Sequence, residues 1–350
     1  MKIAQVAPLY ESVPPKLYGG TERVVSYLTE ELVAQGHKVT LFATADSQTC
    51  ADLVAVIEQG LRLTKGYEMP IAHHYVMLEQ VFNSAQSFEI IHFHTDYLHF
   101  GLARRLIGTP HLTTLHGRLD IPDLKPLYEE FWDIPLVSIS DDQRKPLSFA
   151  NWQATVHHGL PINAYRFNPQ PSDYLAFLGR IAPEKRVERA IEIARRAKMP
   201  LKIAAKVDKA DEEYFATEIR PLLDNPLVEW MGEIGDREKN EFLGSAAALL
   251  FPIDWPEPFG LVMIEAMACG TPVIAFRRGS VPEVIEDKVS GFIVDDIEQA
   301  LRAVAEARAF DRGRARREFE KRFTSTRMAN DYLRVYESLI RSRKPAATVG

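Results

Sequence analysis

Pro256-Glu257-Pro258-Phe259-Gly260-Leu261-Val262-Met263-Ile264-Glu265-Ala266-Met267-Ala268-Cys269-Gly270-Thr271-Pro272-Val273 runs from a loop, through an apolar helix, into a strand that continues to Phe276. Pro258 breaks helical continuity and keeps the residue before it extended, which leaves Glu257 in the loop. Val262, Met263, Ile264, Ala266 and Met267 make the following helix apolar on nearly every side. Such a helix belongs in an interior, and the β-branched strand behind it completes the repeating step of an α/β protein. Glu265 lies inside that helix and needs a partner or a ligand, because an uncompensated carboxylate in apolar surroundings is costly.

The same alternation extends in both directions. A first series of strands is expected at 2–7, 38–43, 89–93, 112–115, 135–139 and 153–156, with a helix over 22–35 that ends at Gly36. A second series is expected at 174–178, 201–206, 227–231, 247–251, 272–276 and 291–294. Val187, Ala190, Ile191, Ala194 and Ala197 form an apolar stripe at helical spacing between its first two strands. A Pro- and Asn-rich stretch without periodicity separates the two series. A chain of 350 residues exceeds one ordinary core. The division expected is therefore a domain over 1–160, a linker over 161–172 and a domain over 173–325, with a last helix at 326–341 reaching back to the first domain. The fold class is α/β, with two facing Rossmann-like domains, parallel sheets and an interdomain cleft at the carboxyl ends of the strands.

A net charge of -6 argues against a nucleic-acid partner, which requires a basic field. The two cysteines, Cys50 and Cys269, lie far apart and form no C-x-x-C spacing, so neither a disulfide framework nor a structural zinc site is expected. The N-terminus begins directly with a strand and shows no leader pattern, and no apolar run reaches the ~20 residues of a membrane span. These features point to a reducing cytoplasm. Arg312-Gly313-Arg314-Ala315-Arg316-Arg317 reads first as a solvated helix face balanced by Glu318 and Glu320. Attraction to anionic lipids is its lesser reading, which keeps peripheral contact with the inner membrane face open.

Chemistry is concentrated at a few positions. Eight positions of helix would span about 12 Å, so Glu257 and Glu265 could hold the two ends of a sugar–diphosphate–ribose unit, with helix N–H groups favouring the anion between them. The alternative is a pair of solvated carboxylates. Arg180 and Lys185 are placed at a strand–helix turn as an anion clamp, where two solvated charges are the competing reading. Gly19-Gly20-Thr21-Glu22 opens the first helix and permits close approach of a phosphate, although an ordinary glycine turn looks the same. His116 follows a strand and precedes Gly117, a position suited to a ligand, where a structural histidine is the alternative. His92 and His94 share a strand face but lack a third metal ligand, His73-His74 and His157-His158 are placed in loops or at strand ends, and no metal site is expected.

These residues resemble a known group. Glu257-Pro-Phe-Gly-Leu with Glu265-Ala-Met-Ala-Cys-Gly-Thr-Pro-Val is similar to the E-x(7)-E signature of retaining nucleotide-sugar glycosyltransferases of the glycogen-synthase-like, family-four kind. Tyr18-Gly19-Gly20-Thr21-Glu22, Leu115-His116-Gly117, Gly179-Arg180-Ile181-x-Pro183-Glu184-Lys185 and Gly279-Ser280-Val281-Pro282-Glu283-Val284-Ile285 extend the resemblance over essentially the whole chain. It implies a GT-B fold, with Arg180 and Lys185 as the donor diphosphate clamp and Glu265 on the ribose hydroxyls. It further implies Glu257, with the backbone of Phe259, Gly260 and Leu261, at the donor sugar. Gly19 and Gly20 fall near the phosphates, and His116 beside the sugar. Glu22 is assigned to the acceptor side. The chain departs from the pattern at Arg186, where glycine is usual, and at His158-Gly159-Leu160-Pro161, where Asn-Gly-Ile-Asp/Glu is commoner.

The resulting expectation is a metal-independent, retaining transfer of a hexosyl group from a nucleoside diphosphate sugar to a hydroxyl acceptor on a saccharide, lipid or small molecule. A UDP-sugar is favoured and GDP-mannose is second. No cofactor is expected beyond the donor. A glycoside hydrolase using Glu257 and Glu265, a nucleotide-sugar epimerase and a non-catalytic nucleotide-sugar-binding protein are the rivals.

Overall fold

The computed structural model describes residues 1–17, 19–62, 68–104 and 108–343, without the side chain of Arg343; Tyr18 lies outside the described residues. It divides into two compact units, Met1–Gly159 with Ser325–Gly350, and Leu160–Thr324.

The first unit holds seven strands: β1 (Lys2–Val6), β2 (Lys38–Ala43), β3 (Asp52–Ala55), β4 (Ile90–Phe93), β5 (His111–Thr114), β6 (Leu136–Ser138) and β7 (Trp152–Thr155). They lie in the order β3-β2-β1-β4-β5-β6-β7, and every pairing is parallel. Helices α1 (Gly20–Ala34), α2 (Pro70–Asn83), α3 (Phe100–Ala103) and α4 (Leu124–Glu130) form the connections. Sequence reading placed His73 and His74 in a loop or at a strand end, but both lie within α2. His74 is buried there, donating from Nδ1 to Pro70 O (2.8 Å) and accepting at Nε2 from Leu9 N–H (3.1 Å). The edge strand β3 was not expected.

The second unit contains β8 (Leu175–Ile181), β9 (Leu201–Val207), β10 (Val228–Gly232), β11 (Ala248–Phe251), β12 (Val273–Phe276) and β13 (Gly291–Val294). Their order is β10-β9-β8-β11-β12-β13, again with parallel pairing throughout. Its helices are α5 (Val187–Ala197), α6 (Glu212–Tyr214), α7 (Asp236–Gly244), α8 (Leu261–Cys269), α9 (Val281–Val284), α10 (Ile297–Ala307) and α11 (Arg312–Arg322). The core helix α8 is buried from Met263 through Cys269. The final helix, α12 (Ser325–Arg343), returns to the first unit and packs on α1, where Ser325 Oγ donates to Glu31 (2.9 Å).

The basic segment in α11 is solvated only in part: Arg314 and Arg317 are exposed and Arg316 pairs with Glu320 (2.7 Å), whereas Arg312 and the other donors of Arg316 turn inward. Arg312 is 5% exposed and donates to Asn168 O, Ala246 O, Gly244 O and Thr271 Oγ1 at 2.6–2.8 Å. Arg316 donates to Tyr165 O, Ala268 O and Ile162 O at 2.7–3.1 Å. Only carbonyl oxygens left unused by helix and sheet explain two arginines turned inward. They tie the Pro- and Asn-rich stretch and the end of α8 to α11. Among the described residues no helix is long and apolar enough to cross a membrane.

Both sheets reverse strand order once, between β1 and β4 in the first unit and between β8 and β11 in the second. Loops after such strand pairs form the crevice in which open parallel sheets bind ligands.

Candidate active site

In the second unit, residues 182–186 follow β8 and residues 252–257 follow β11, so chain order alone delivers both loops to the switch point. Asp254 N–H donates to Glu184 O (2.9 Å) and stitches them together. Lys185 Nζ donates to Glu257 Oε2, and Trp255 Nε1 donates to the same oxygen (3.0 Å). Lys185 Nζ also lies 4.8 Å over the Trp255 ring. Glu257 is nine-tenths buried, and its Oε1 has no hydrogen-bond partner among the described residues.

Two glycines make this loop feasible. Gly279 has φ +53, and a Cβ there would stand 2.3 Å from Glu257 N, so only glycine allows the approach. Gly260 has φ +78 and serves as N-cap of α8, whose first turn receives no side-chain cap. The helix therefore presents uncapped N–H groups directly after the Glu257 loop. Phe259 is buried with its ring edge-on to Phe323 (6.2 Å), and its carbonyl accepts from Ser280 Oγ (2.8 Å). Leu261 opens α8.

Arg180 lies within β8 itself, which runs to Ile181 rather than ending at Leu178. It donates to Glu184 (3.0 Å) and Asp208 (3.2 Å), with Asp211 at 3.7 Å. Arg180 and Lys185 are thus both ion-paired within the chain, on separate carboxylates. Glu265 on α8 is 3% exposed and meets Lys239 of α7 at 3.5 Å. The partner demanded by its apolar helix is a lysine that sequence reading did not single out. Trp255 was missed as well.

The first unit gathers its polar residues at the carboxyl ends of β1, β4 and β5. Gln5 Nε2 donates to Tyr336 Oη (3.1 Å), which leaves Gln5 Oε1 to accept from His94 Nε2 (2.8 Å). His94 Nδ1 then accepts from His116 Nε2 (2.8 Å), so the chain of donors places the lone pair of His116 on Nδ1. That atom is buried and has no partner among the described residues. Burial pushes the His116 imidazole down to about 3, so the ring is neutral at physiological pH. His158 stacks on it at 5.3 Å. Gln143 Nε2 bonds Leu115 O (2.9 Å) and Gly117 O (2.8 Å), fixing the turn on both sides of His116. His92 donates and accepts between Thr114 Oγ1 and Tyr336 Oη (both 2.7 Å), which uses both of its nitrogens. Among the described residues no group of three metal-ligating side chains could hold an ion.

Gly19 is the N-cap of α1, and a Cβ on it would lie 2.7 Å from Pro15 Cβ, while Gly20 is exposed in the first turn. Glu22 is 5% exposed, and burial, with Glu11 nearby, lifts its carboxyl to about 7 despite opposing backbone hydrogen bonds and Arg62. Glu11 is itself buried and pairs with Arg62 (3.2 Å).

Two parallel Rossmann-like sheets, with a cation–carboxylate pair at the switch point of the second, agree with the GT-B glycosyltransferase fold that the resemblance implied. Residues 18–152 match the model described as Glycosyltransferase Family 4, and residues 164–322 match Glycosyl transferases group 1. The chain belongs to the family-four glycosyltransferases. It is 25% identical over 335 residues to an alpha-maltose-1-phosphate synthase of Mycolicibacterium smegmatis, covering 83% of this chain and 84% of that one. Among solved structures, AviGT4, a glycosyltransferase involved in avilamycin A biosynthesis, superposes with a TM-score of 0.75 at 24% identity, covering 98% of each chain. Anabaena Alr3699/HepE in complex with UDP and glucose gives 0.74 at 16% identity, over 97% of this chain and all of that one.

Proposed function

We propose that this glycosyltransferase moves a hexosyl group from a nucleoside diphosphate sugar to a hydroxyl acceptor and retains the anomeric configuration. The observation that carries the reading is the union of Lys185 and Glu257 at the β8/β11 switch point, with uncapped helix N–H groups alongside. A cation for the diphosphate and a carboxylate for the sugar hydroxyls are thereby held side by side. Glu257 Oε1 is the oxygen left to accept from the sugar. Glu265 takes the ribose hydroxyls.

As the bond to the anomeric carbon breaks, charge grows on the diphosphate oxygens. Lys185 and Arg180 stabilise that charge more than they stabilise the ground state, which is what lowers the barrier. The departing phosphate accepts the acceptor's proton on the same face, so no protein nucleophile is required. UDP-sugar is the favoured donor, supported by the UDP bound to HepE, with GDP-mannose second. The donor-side roles of Gly19, Gly20 and His116 and the placing of Glu22 on the acceptor side belong to the same reading, as does independence from metal and from any further cofactor. A hydrolase reading is disfavoured because it gives Lys185, held against Glu257, no phosphate to bind.

The test is release of nucleoside diphosphate from a panel of nucleotide sugars and acceptors, with the product's anomeric proton followed by NMR. Acceptor-dependent release with retained configuration, unchanged by EDTA, is expected. Release of free sugar regardless of acceptor, or an inverted product, would overturn the proposal.

A further inference from the structure

Trp255 carries no charge and precedes Glu257 by two positions, yet it contacts both ends of the proposed donor loop. Its Nε1–H donates to Glu257 Oε2 at 3.0 Å, and its ring lies beneath Lys185 Nζ at 4.8 Å. Lys185 in turn donates to the same carboxylate oxygen, which closes a triangle of three side chains. We propose that Trp255 is the positioning residue of this loop. Its N–H sets the orientation of the Glu257 carboxylate, and its ring keeps Lys185 in place. The proposal rests on the donor-site reading above.

The argument is one of competing partners. A diphosphate draws Lys185 away from Glu257, because the phosphate oxygens carry more charge than one carboxylate. Without a second anchor, the departure of Lys185 would leave Glu257 free to rotate. The indole N–H holds Oε2 through that exchange, so Oε1 stays presented to a sugar hydroxyl. The indole face meanwhile offers Lys185 an attraction that does not compete for its three donors. Backbone geometry supports the same arrangement, since Glu257 N–H donates to Trp255 O (2.8 Å) and Ser280 N–H donates to Glu257 O (3.0 Å). Trp255 therefore couples recognition of the sugar to recognition of the phosphates.

The two contacts separate by substitution. Trp255→Phe keeps a ring for Lys185 and removes the N–H, Trp255→Leu removes both, and Trp255→His restores an N–H donor. Titration calorimetry on the full chain would compare UDP, GDP and ADP with UDP-glucose, GDP-mannose and ADP-glucose. For the pair that binds, Trp255→Phe is expected to hold nucleoside diphosphate affinity within about twofold and lose about tenfold toward the nucleotide sugar. Trp255→Leu is expected to lose about threefold or more toward both, and Trp255→His to recover most of the sugar-dependent affinity. Equal losses toward both ligands in Trp255→Phe, or none toward either, would overturn the positioning role alone. A wild-type chain that binds none of the six would remove the donor-site reading, and this proposal with it.

Discussion

Acid should unfold the two units at different points. All ten histidines lie between His37 and His158, and the unit Leu160–Thr324 has none. Burial holds His92, His94, His99, His116 and His158 below their ordinary value of 6.5. A depressed histidine binds its proton more weakly in the folded state. Its stabilisation is therefore present above 6.5 and is lost as pH falls toward the folded value. Between pH 7.5 and 5.5, five rings that stay neutral give up together on the order of 6 kcal/mol. Glu22 works in the opposite direction. Its carboxyl is raised to about 7, so its contribution is full below 4.5 and fades as pH rises through 7. Glu22 returns about 2 kcal/mol over the same interval, and Asp96, whose carboxyl burial lifts to about 6, returns about 1 kcal/mol more. The net loss is about 3 kcal/mol, which lowers the first unit's midpoint by roughly 8 °C at the usual unfolding entropy per residue. Scanning calorimetry of the full chain at both pH values measures this directly. Equal shifts in the two units, or a first-unit shift below about 3 °C, would refute the reasoning.

Other perturbations follow from single side chains. Arg312→Met leaves three carbonyls and Thr271 without their charged donor, and should destabilise the second unit by about 3–5 kcal/mol in thermal or urea unfolding; a change under 1 kcal/mol would show that water replaces it. Arg186 stands at φ +54, where glycine suits the backbone. Arg186→Gly should relieve about 1 kcal/mol of strain and forfeit half-exposed ion pairs to Asp254 (3.3 Å) and Glu188 that together are worth no more than that, so the unfolding midpoint should hold or rise, and a clear fall would contradict this. Lys239→Met strips Glu265 of its ion pair and should raise the dissociation constant for a nucleotide sugar by about tenfold; unchanged binding would mean Glu265 needs no cation to stay in place.

Much of the architecture was legible because buried parallel strands are written as short apolar runs, and Lys38–Ala43 and Gly291–Val294 were placed at their observed limits. Strand β3 was not, because Asp-Leu-Val-Ala is a half-exposed edge strand with no such run. The motif residues Arg180, Lys185, Glu257 and Glu265 could be read as a set, but their partners could not. Lys239 reaches Glu265 only through the packing of α7 on α8, and Trp255 acts through an N–H and a ring face. Arg312 and the inward contacts of Arg316 were missed for a related reason. A basic run shows its charge in sequence, whereas the carbonyls that absorb it are contributed from distant loops.

Arg180 within β8, the loops after β8 and β11, and Glu265 are expected together to hold a nucleoside diphosphate sugar. A cocrystal structure with the tightest-binding nucleotide sugar tests it most directly. The diphosphate is expected within hydrogen-bonding distance of Arg180 and Lys185, the ribose on Glu265 and the hexose on Glu257. A nucleotide bound away from these four side chains would contradict it.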